Sequence, residues 1–278
     1  MKLTVLVDNN TIIDRYFYGE PGVSYYLETD EKKVLFDVGY SDAFLKNASK
    51  MNISFYKLDY LLLSHGHLDH TWGLDPLIKY YSEAVIEKIP LHKPTLIAHP
   101  DTFTSKLLPE GEIGSLLSAN KLSNHFNLKL SKGPVWLTDA LVYLGEIPRT
   151  NSFENRNPIG VTQKNGNQKA DYLKDDSALA FKSSKGLVVI TGCSHSGICN
   201  IIEYATKVTG EQKIIDIIGG FHLLNPSAKV LEKTVQYFSK INSSAVHACH
   251  CTDFRSKVAL SQVANLQEVG VGLTLEYK

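Results

Sequence analysis

The chain has 278 residues, and 29 Lys and Arg balance 29 Asp and Glu to a formal net charge of zero. That length buries a substantial core in one large domain or two small ones, and the balanced charge makes no electrostatic case for a polyanion partner. No apolar run approaches the length of a bilayer span and residues 1–8 are too short for a signal peptide, so a cytoplasmic location is the expectation.

In chain order the N-terminal part reads as strands. Residues 3–7 are β-rich, and strands over 24–28 and 34–38 flank a turn at Thr29-Asp30-Glu31-Lys32. Residues 41–47 look like a capped helix start, and the apolar run 58–63 is a short buried strand. Helical spacing follows over 74–86 and another buried strand over 95–99. Residues 100–135 mix polar and apolar character and suggest an insertion. Strands return over 135–147, and the polar stretch 151–174 reads as a long surface loop. A hairpin over 178–181 and 186–190 comes next. Then helix over 198–208, strand over 214–218, helix over 228–241, strand over 245–248, helix over 255–267 and strand over 271–277 complete the chain. Two runs of strands, divided near residue 150 with no Pro/Gly-rich linker, predict two sheets packed face to face under helices.

Ser64-His65-Gly66-His67-Leu68-Asp69-His70 sets four potential metal ligands directly after the 58–63 strand. A strand feeding such a loop aims its ligands into a cleft at the strand's C-terminal end. In extended backbone His65 and His67 point the same way, while Asp69 and His70 follow on the turn and reach a second position. Imidazole and carboxylate suit zinc, iron or manganese. Three further strand ends carry histidine: Cys193-Ser194-His195, Phe221-His222-Leu223 and His247-Ala248-Cys249-His250-Cys251. Any one of these alone reads as a buried, hydrogen-bonded side chain; together they predict convergence on the 65–70 loop. All four cysteines lie in this C-terminal third, which favours metal proximity or plain thiols over a disulfide framework.

His-x-His-x-Asp-His at a strand end resembles the hallmark of the metallo-β-lactamase superfamily. Further motifs are Gly145-Glu146-Ile147-Pro148-Arg149 with Phe153-Glu154, Asp175-Asp176-Ser177-Ala178-Leu179, Thr191 to Gly197, Gly219 to Leu223 and His250-Cys251-Thr252. These make the chain similar to the branch of 7,8-dihydropterin-6-methyl-4-(β-D-ribofuranosyl)aminobenzene-5′-phosphate synthase-like proteins, with matches from about residue 34 to 254. The resemblance implies an α/β (α+β) fold: a four-layer αββα sandwich in a single domain over 1–278, with the site at one edge between the sheets. It implies two divalent ions, zinc before manganese or iron. His65, His67 and His195 would hold the first, and Asp69 and His70 with His250 or His222 the second. A bridging Asp is expected where this chain has Cys193. Either Cys193 is a thiolate beside the metals or the bridge is missing, and Asp176 is an alternative to His195. Asp37 would orient a ligand histidine from behind.

The same resemblance implies roles in catalysis. Asp69 would accept a proton while ligating, and whichever of His222 and His250 is not a ligand would donate one to a leaving group. Arg149 would grip a phosphate or carboxylate bidentately. The expected activity is metal-dependent, of hydrolase type, on a phosphorylated or ester small molecule. Its specific form is the transfer that joins an aryl ribofuranosyl phosphate to a dihydropterin methyl diphosphate and releases pyrophosphate. No nucleic-acid or membrane partner is expected. A phosphodiesterase or nuclease of this fold would want a basic surface. A flavodiiron protein would have Glu in place of His67. A metal sensor would close a zinc site with Cys193, Cys249 and Cys251 around His195 or His250.

Overall fold

Alternating and unbroken apolar strands build two large sheets whose inner faces meet. The computed structural model describes every residue except Asp30, Glu31, Asn155, Arg156 and Asn165, and the side chain of Lys164. The chain begins with β1 (Lys2–Val7), β2 (Ser24–Glu28), β3 (Lys33–Phe36), α1 (Ala43–Lys50), β4 (Tyr60–Leu62), α2 (Leu68–Thr71), α3 (Leu74–Ile86) and β5 (Thr95–Ala98). Next come β6 (Ser105–Leu108), β7 (Gly111–Glu112), α4 (Ala119–Leu122), β8 (Asn127–Leu130), β9 (Val135–Trp136), β10 (Leu141–Tyr143), β11 (Val161–Lys164) and β12 (Asn167–Ala170). It ends with β13 (Ala178–Ser183), β14 (Gly186–Thr191), α5 (Ile198–Thr209), β15 (Ile214–Gly220), α6 (Ala228–Ile241), β16 (Ala245–Cys249), α7 (Phe254–Ser261) and β17 (Thr274–Glu276).

One sheet has the order β17-β1-β2-β3-β4-β5-β8 and the other β16-β15-β14-β13-β10-β9. Leu3, Tyr25, Phe36 and Leu62 of the first pack on Tyr143, Leu179, Val188 and Ile190 of the second, forming the central core. The first sheet's other face meets Phe44, Leu74, Leu77 and Tyr81 of α1 and α3. The second sheet's outer face meets Ile198, Ile202, Phe238 and Leu260 of α5, α6 and α7. The layers are therefore αββα. Each fully buried Leu, Ile or Phe among them contributes roughly 1.5–3 kcal/mol relative to exposure. In β4, Leu61 and Leu62 are wholly buried between parallel neighbours β3 and β5. Burial on both faces is why that strand reads as a continuous apolar run.

The structure corrects the sequence reading in four places. The sheets divide near residue 130, not 150, because β9 and β10 pair with β13. The last strand returns to the first sheet, with Leu275 opposite Leu3 on β1. The polar 151–174 stretch contains the hairpin β11–β12, which joins β6 and β7 of the 100–135 segment in a third sheet of order β12-β11-β6-β7. Its exposed faces leave no apolar period to read. The predicted 255–267 helix stops at Ser261, because the chain beyond turns to bond β16: Val246 N–H donates to Asn265 O, and Gln267 N–H to Val246 O. The turn expected at Thr29–Lys32 includes Asp30 and Glu31, which lie outside the described residues. No helix among the described residues is long and apolar enough to cross a membrane.

Candidate metal centre

Strand ends deliver most of the candidate ligands, and the short helix α2 delivers Asp69 and His70. Leaving β4, Ser64 to His67 arches over the sheet edge, and His67 is the residue preceding α2. Leaving β14, Gly192 passes beneath the arch. A Cβ there would lie 2.2 Å from Ser64 Oγ and 2.9 Å from Asp37 Oδ2, so only glycine fits. Cys193 and His195 follow before α5, and His250 stands at the end of β16 with φ 48°.

These segments bring seven side chains into two adjoining clusters. His65, His67 and His195 offer ring nitrogens within 4.8 Å of one another, with Nε2 of His65 3.1 Å from Nε2 of His195. Asp69, His70, Cys193 and His250 form the second group at the same span. Cys193 Sγ lies 3.2 Å from Nε2 of both His70 and His250. Asp69 Oδ2 lies 3.3 Å from His250 Nε2 and 3.6 Å from His70 Nε2. The rings of His65 and His70, one from each cluster, are 4.3 Å apart.

Bonds from behind orient the rings. Asp37 accepts from Ser64 N–H, Ser64 Oγ and His70 Nδ1, each at 2.7 Å. With its proton on Asp37, Ser64 Oγ accepts from His65 Nδ1 at 2.9 Å. His250 Nδ1 donates to Asn9 Oδ1 at 3.0 Å, and His250 N–H to Asp8 Oδ1. In all three rings this network places a proton on Nδ1 and turns Nε2 toward the centre.

Burial pulls His65 and His195 well below the usual imidazole range, and His67 to about 4, so all three are neutral. His70 is different. Burial lowers it, but the carboxylates of Asp69 and Asp37 outweigh that and raise it to about 9. Burial likewise opposes the Asp69 charge, yet His70 and His250 hold its carboxyl well below the ordinary range. Burial pushes the Cys193 thiol up, and a cation beside it would reverse that.

This donor set fits a divalent metal. His67 Nε2 is buried without a hydrogen-bond partner among the described residues, although an unpaired buried polar atom is costly. Neutral imidazoles, one carboxylate and one thiol are the ligand types of zinc. His65, His67 and His195 would hold one ion, and Asp69, His70, Cys193 and His250 the other.

Other candidates stand outside the clusters. His222 packs its ring 4.2 Å from that of His195 at the surface. Asp176 lies outside both clusters and accepts from Ser196 N–H and Oγ through Oδ2, which fixes the turn after His195. Arg149 joins neither cluster. Its Nη2 donates to Tyr172 O and Leu173 O at 2.6 and 2.7 Å, which braces the segment before Asp175. Beside His195 and His222 opens a cleft of about 450 Å³, walled by Phe153, Leu223 and Leu224 with Lys229 among its lining. Sequence reasoning missed Ser64 and Asn9, whose roles depend on strand ends meeting across the fold. It also missed Lys106, which lies in the segment without a readable period.

Comparison with known proteins points in one direction. Residues 18–130 match the family model described as the metallo-beta-lactamase superfamily. The chain is 29% identical to the 7,8-dihydropterin-6-methyl-4-(beta-D-ribofuranosyl)-aminobenzene-5′-phosphate synthase of Methanocaldococcus jannaschii, over 92% of this chain and 89% of that protein. An uncharacterized protein of the same organism is 32% identical over 97% of this chain and 98% of its own. Among solved structures, Tm1679, described as a metal-dependent hydrolase of the beta-lactamase superfamily, superposes with a TM-score of 0.83 at 29% identity, covering 100% of this chain and 99% of that one. The metallo-beta-lactamase fold protein YhfI from Bacillus subtilis shares the fold at a TM-score of 0.60 and 13% identity, covering 99% of this chain and 98% of that one.

Proposed function

The chain belongs to the metallo-beta-lactamase superfamily, and from that premise we propose that it is a two-metal enzyme that breaks a phosphate or diphosphate linkage in a small molecule. The observation that carries this reading is the pair of adjoining clusters built from separate strand ends. Two divalent ions held there would lower the pKa of a bound water and neutralise an anionic leaving group.

The chain's own groups have distinct tasks. Asp69, its side chain 23% exposed at the edge of the mixed cluster, accepts a proton on the solvent side. His222 lies outside both clusters beside His195, so its ring is free of metal and donates a proton to the departing group. Phe153, Leu223 and Leu224 exclude water from the unreactive part of the substrate, and Lys229 meets its negative charge. The balanced net charge supports a small-molecule substrate over nucleic acid.

The similarity to the pterin-related synthase favours, as the specific reaction, transfer between a dihydropterin methyl diphosphate and an aryl ribofuranosyl phosphate with loss of pyrophosphate. The likeness to Tm1679 favours plain hydrolysis. A pyrophosphate-release assay separates them. Release that needs both substrates assigns transfer, and release from the diphosphate alone assigns hydrolysis. Metal-loaded protein inert toward both substrates and toward a phosphodiester and ester panel would sink the proposal.

A further inference from the structure

Lys106 is a charged side chain 1% exposed, sent from β6 of the small third sheet to the back of the histidine arch. Its Nζ donates to Asp171 Oδ2 and to Asp175 Oδ1, both at 2.9 Å. Asp175 uses its other oxygen, Oδ2, to accept the N–H of Gly66 at 2.8 Å. Gly66 is the residue between the two ligands His65 and His67. A Cβ on it would come 2.8 Å from Lys106 Cε and 2.2 Å from Thr102 O, so the arch lies directly against this group. The same segment grips the arch again further along. Leu68 N–H donates to Ile113 O at 2.9 Å, and Trp72 Nε1 to Gly114 O at 2.8 Å.

We propose that Asp175, locked by Lys106, is a positioning residue for the histidine cluster, and that the third sheet serves to carry this lock. The physical argument is one of orientation. Ligands two residues apart are joined through two peptide units that meet at the Cα between them, and holding the Gly66 N–H fixes the plane of the first unit and so constrains the angle between the two rings. A carboxylate held by a buried ammonium is a stiff acceptor, because leaving its charge pair would strand both ions in a low-dielectric site. The mixed cluster has no part in this lock, since its rings are held by Asp37 and Asn9. Loss of the lock therefore acts on one cluster alone. The inference rests on reading both clusters as metal sites.

Cobalt(II) titration of the metal-free protein tests it. The cluster with Cys193 reports through a near-ultraviolet thiolate charge-transfer band, and the three-histidine cluster through visible absorption only. Asp175→Ala should weaken the visible-only site about ten- to a hundredfold, the usual size for an outer partner of a ligand, with the midpoint of the thiolate band unmoved. Asp175→Asn keeps an acceptor for Gly66 and should restore most of that affinity. Asp171→Asn breaks the ion group without touching Gly66 and should leave both sites at wild-type affinity. Should Asp175→Ala fail to fold, the triple variant K106M/D171N/D175L removes the charges together and still deprives Gly66 of its acceptor, so the same selective loss is expected. Equal weakening of both sites, no weakening, or an Asp171→Asn loss matching Asp175→Ala would overturn the proposal. Wild-type protein that binds no cobalt would overturn it together with the metal reading; wild-type binding with unaltered Asp175→Ala titration overturns it alone.

Discussion

The histidine cluster and the mixed cluster share an edge of the sandwich but differ in charge and in how their ligands are held. His65, His67 and His195 are neutral by burial, and their arch is held through the Gly66 N–H by Asp175 as well as through Ser64 by Asp37. The mixed cluster contains the ionised Asp69 and the thiol of Cys193, and its two rings are fixed through side chains. A divalent ion among three neutral ligands keeps its whole charge for an incoming anion. An ion beside a carboxylate and a thiolate is neutralised by the protein itself. The difference implies a division of labour: with both clusters filled, the histidine cluster would be the stronger electrophile and the mixed cluster the tighter holder.

The harshest way to break that contrast is His67→Ala. It removes one of three ligands from the cluster that has no anionic ligand to compensate. Metal content should fall to the mixed cluster's share, and kcat/KM should drop on the order of a hundredfold or more, the scale of losing a Lewis-acid ion. The fold should survive, because the core lies in the sheets rather than in the arch. Elemental analysis beside far-ultraviolet circular dichroism checks both points. Metal content equal to wild type would discard the assignment of His67.

Cys193→Ser acts on the other side and should act less severely. A serine hydroxyl stays neutral where the thiol would ionise, so the mixed cluster loses a negative charge and its soft donor. Zinc affinity there should fall roughly tenfold or more, with manganese gaining relative to zinc. The histidine cluster should titrate as before. Stoichiometry and metal preference unchanged from wild type would make Cys193 a bystander.

How much of this was legible in the sequence depends on the kind of signal. The β4 run and the His-x-His-x-Asp-His motif are local, and a strand buried on both faces announces itself through Leu61 and Leu62. Spacing separated His65 and His67 from Asp69 and His70, whereas assigning His195 and His250 to the two groups followed from the family resemblance. The third sheet was hidden because its hairpin is polar on exposed faces and pairs across some fifty residues, with Val161 opposite Leu107. Lys106 was hidden for a related reason. A lone lysine in an aperiodic stretch looks solvated until the fold brings two carboxylates to it. Arg149 carries a contact the sequence did not show: its Nη2 is bound by two backbone carbonyls.

The finest test of the comparison is pH. Burial keeps His67 at about 4, so above roughly pH 5 the histidine cluster has no proton to lose and its metal affinity should be flat. In the mixed cluster burial opposes the proton on His70, yet Asp69 and Asp37 raise it to about 9. A raised group holds its proton below that value, so a metal arriving at pH 6 to 8 must displace it. Affinity should therefore climb with pH, about tenfold per unit for each proton displaced, with the His70 contribution levelling off near 9. Competition titrations with a chromophoric chelator at pH 6, 7 and 8 would follow the two sites separately, and parallel curves would contradict the contrast. The slope also counts protons. A value near one means that only His70 gives up a proton, and a value near two means that Cys193 ionises as well, which makes the thiolate a ligand in solution.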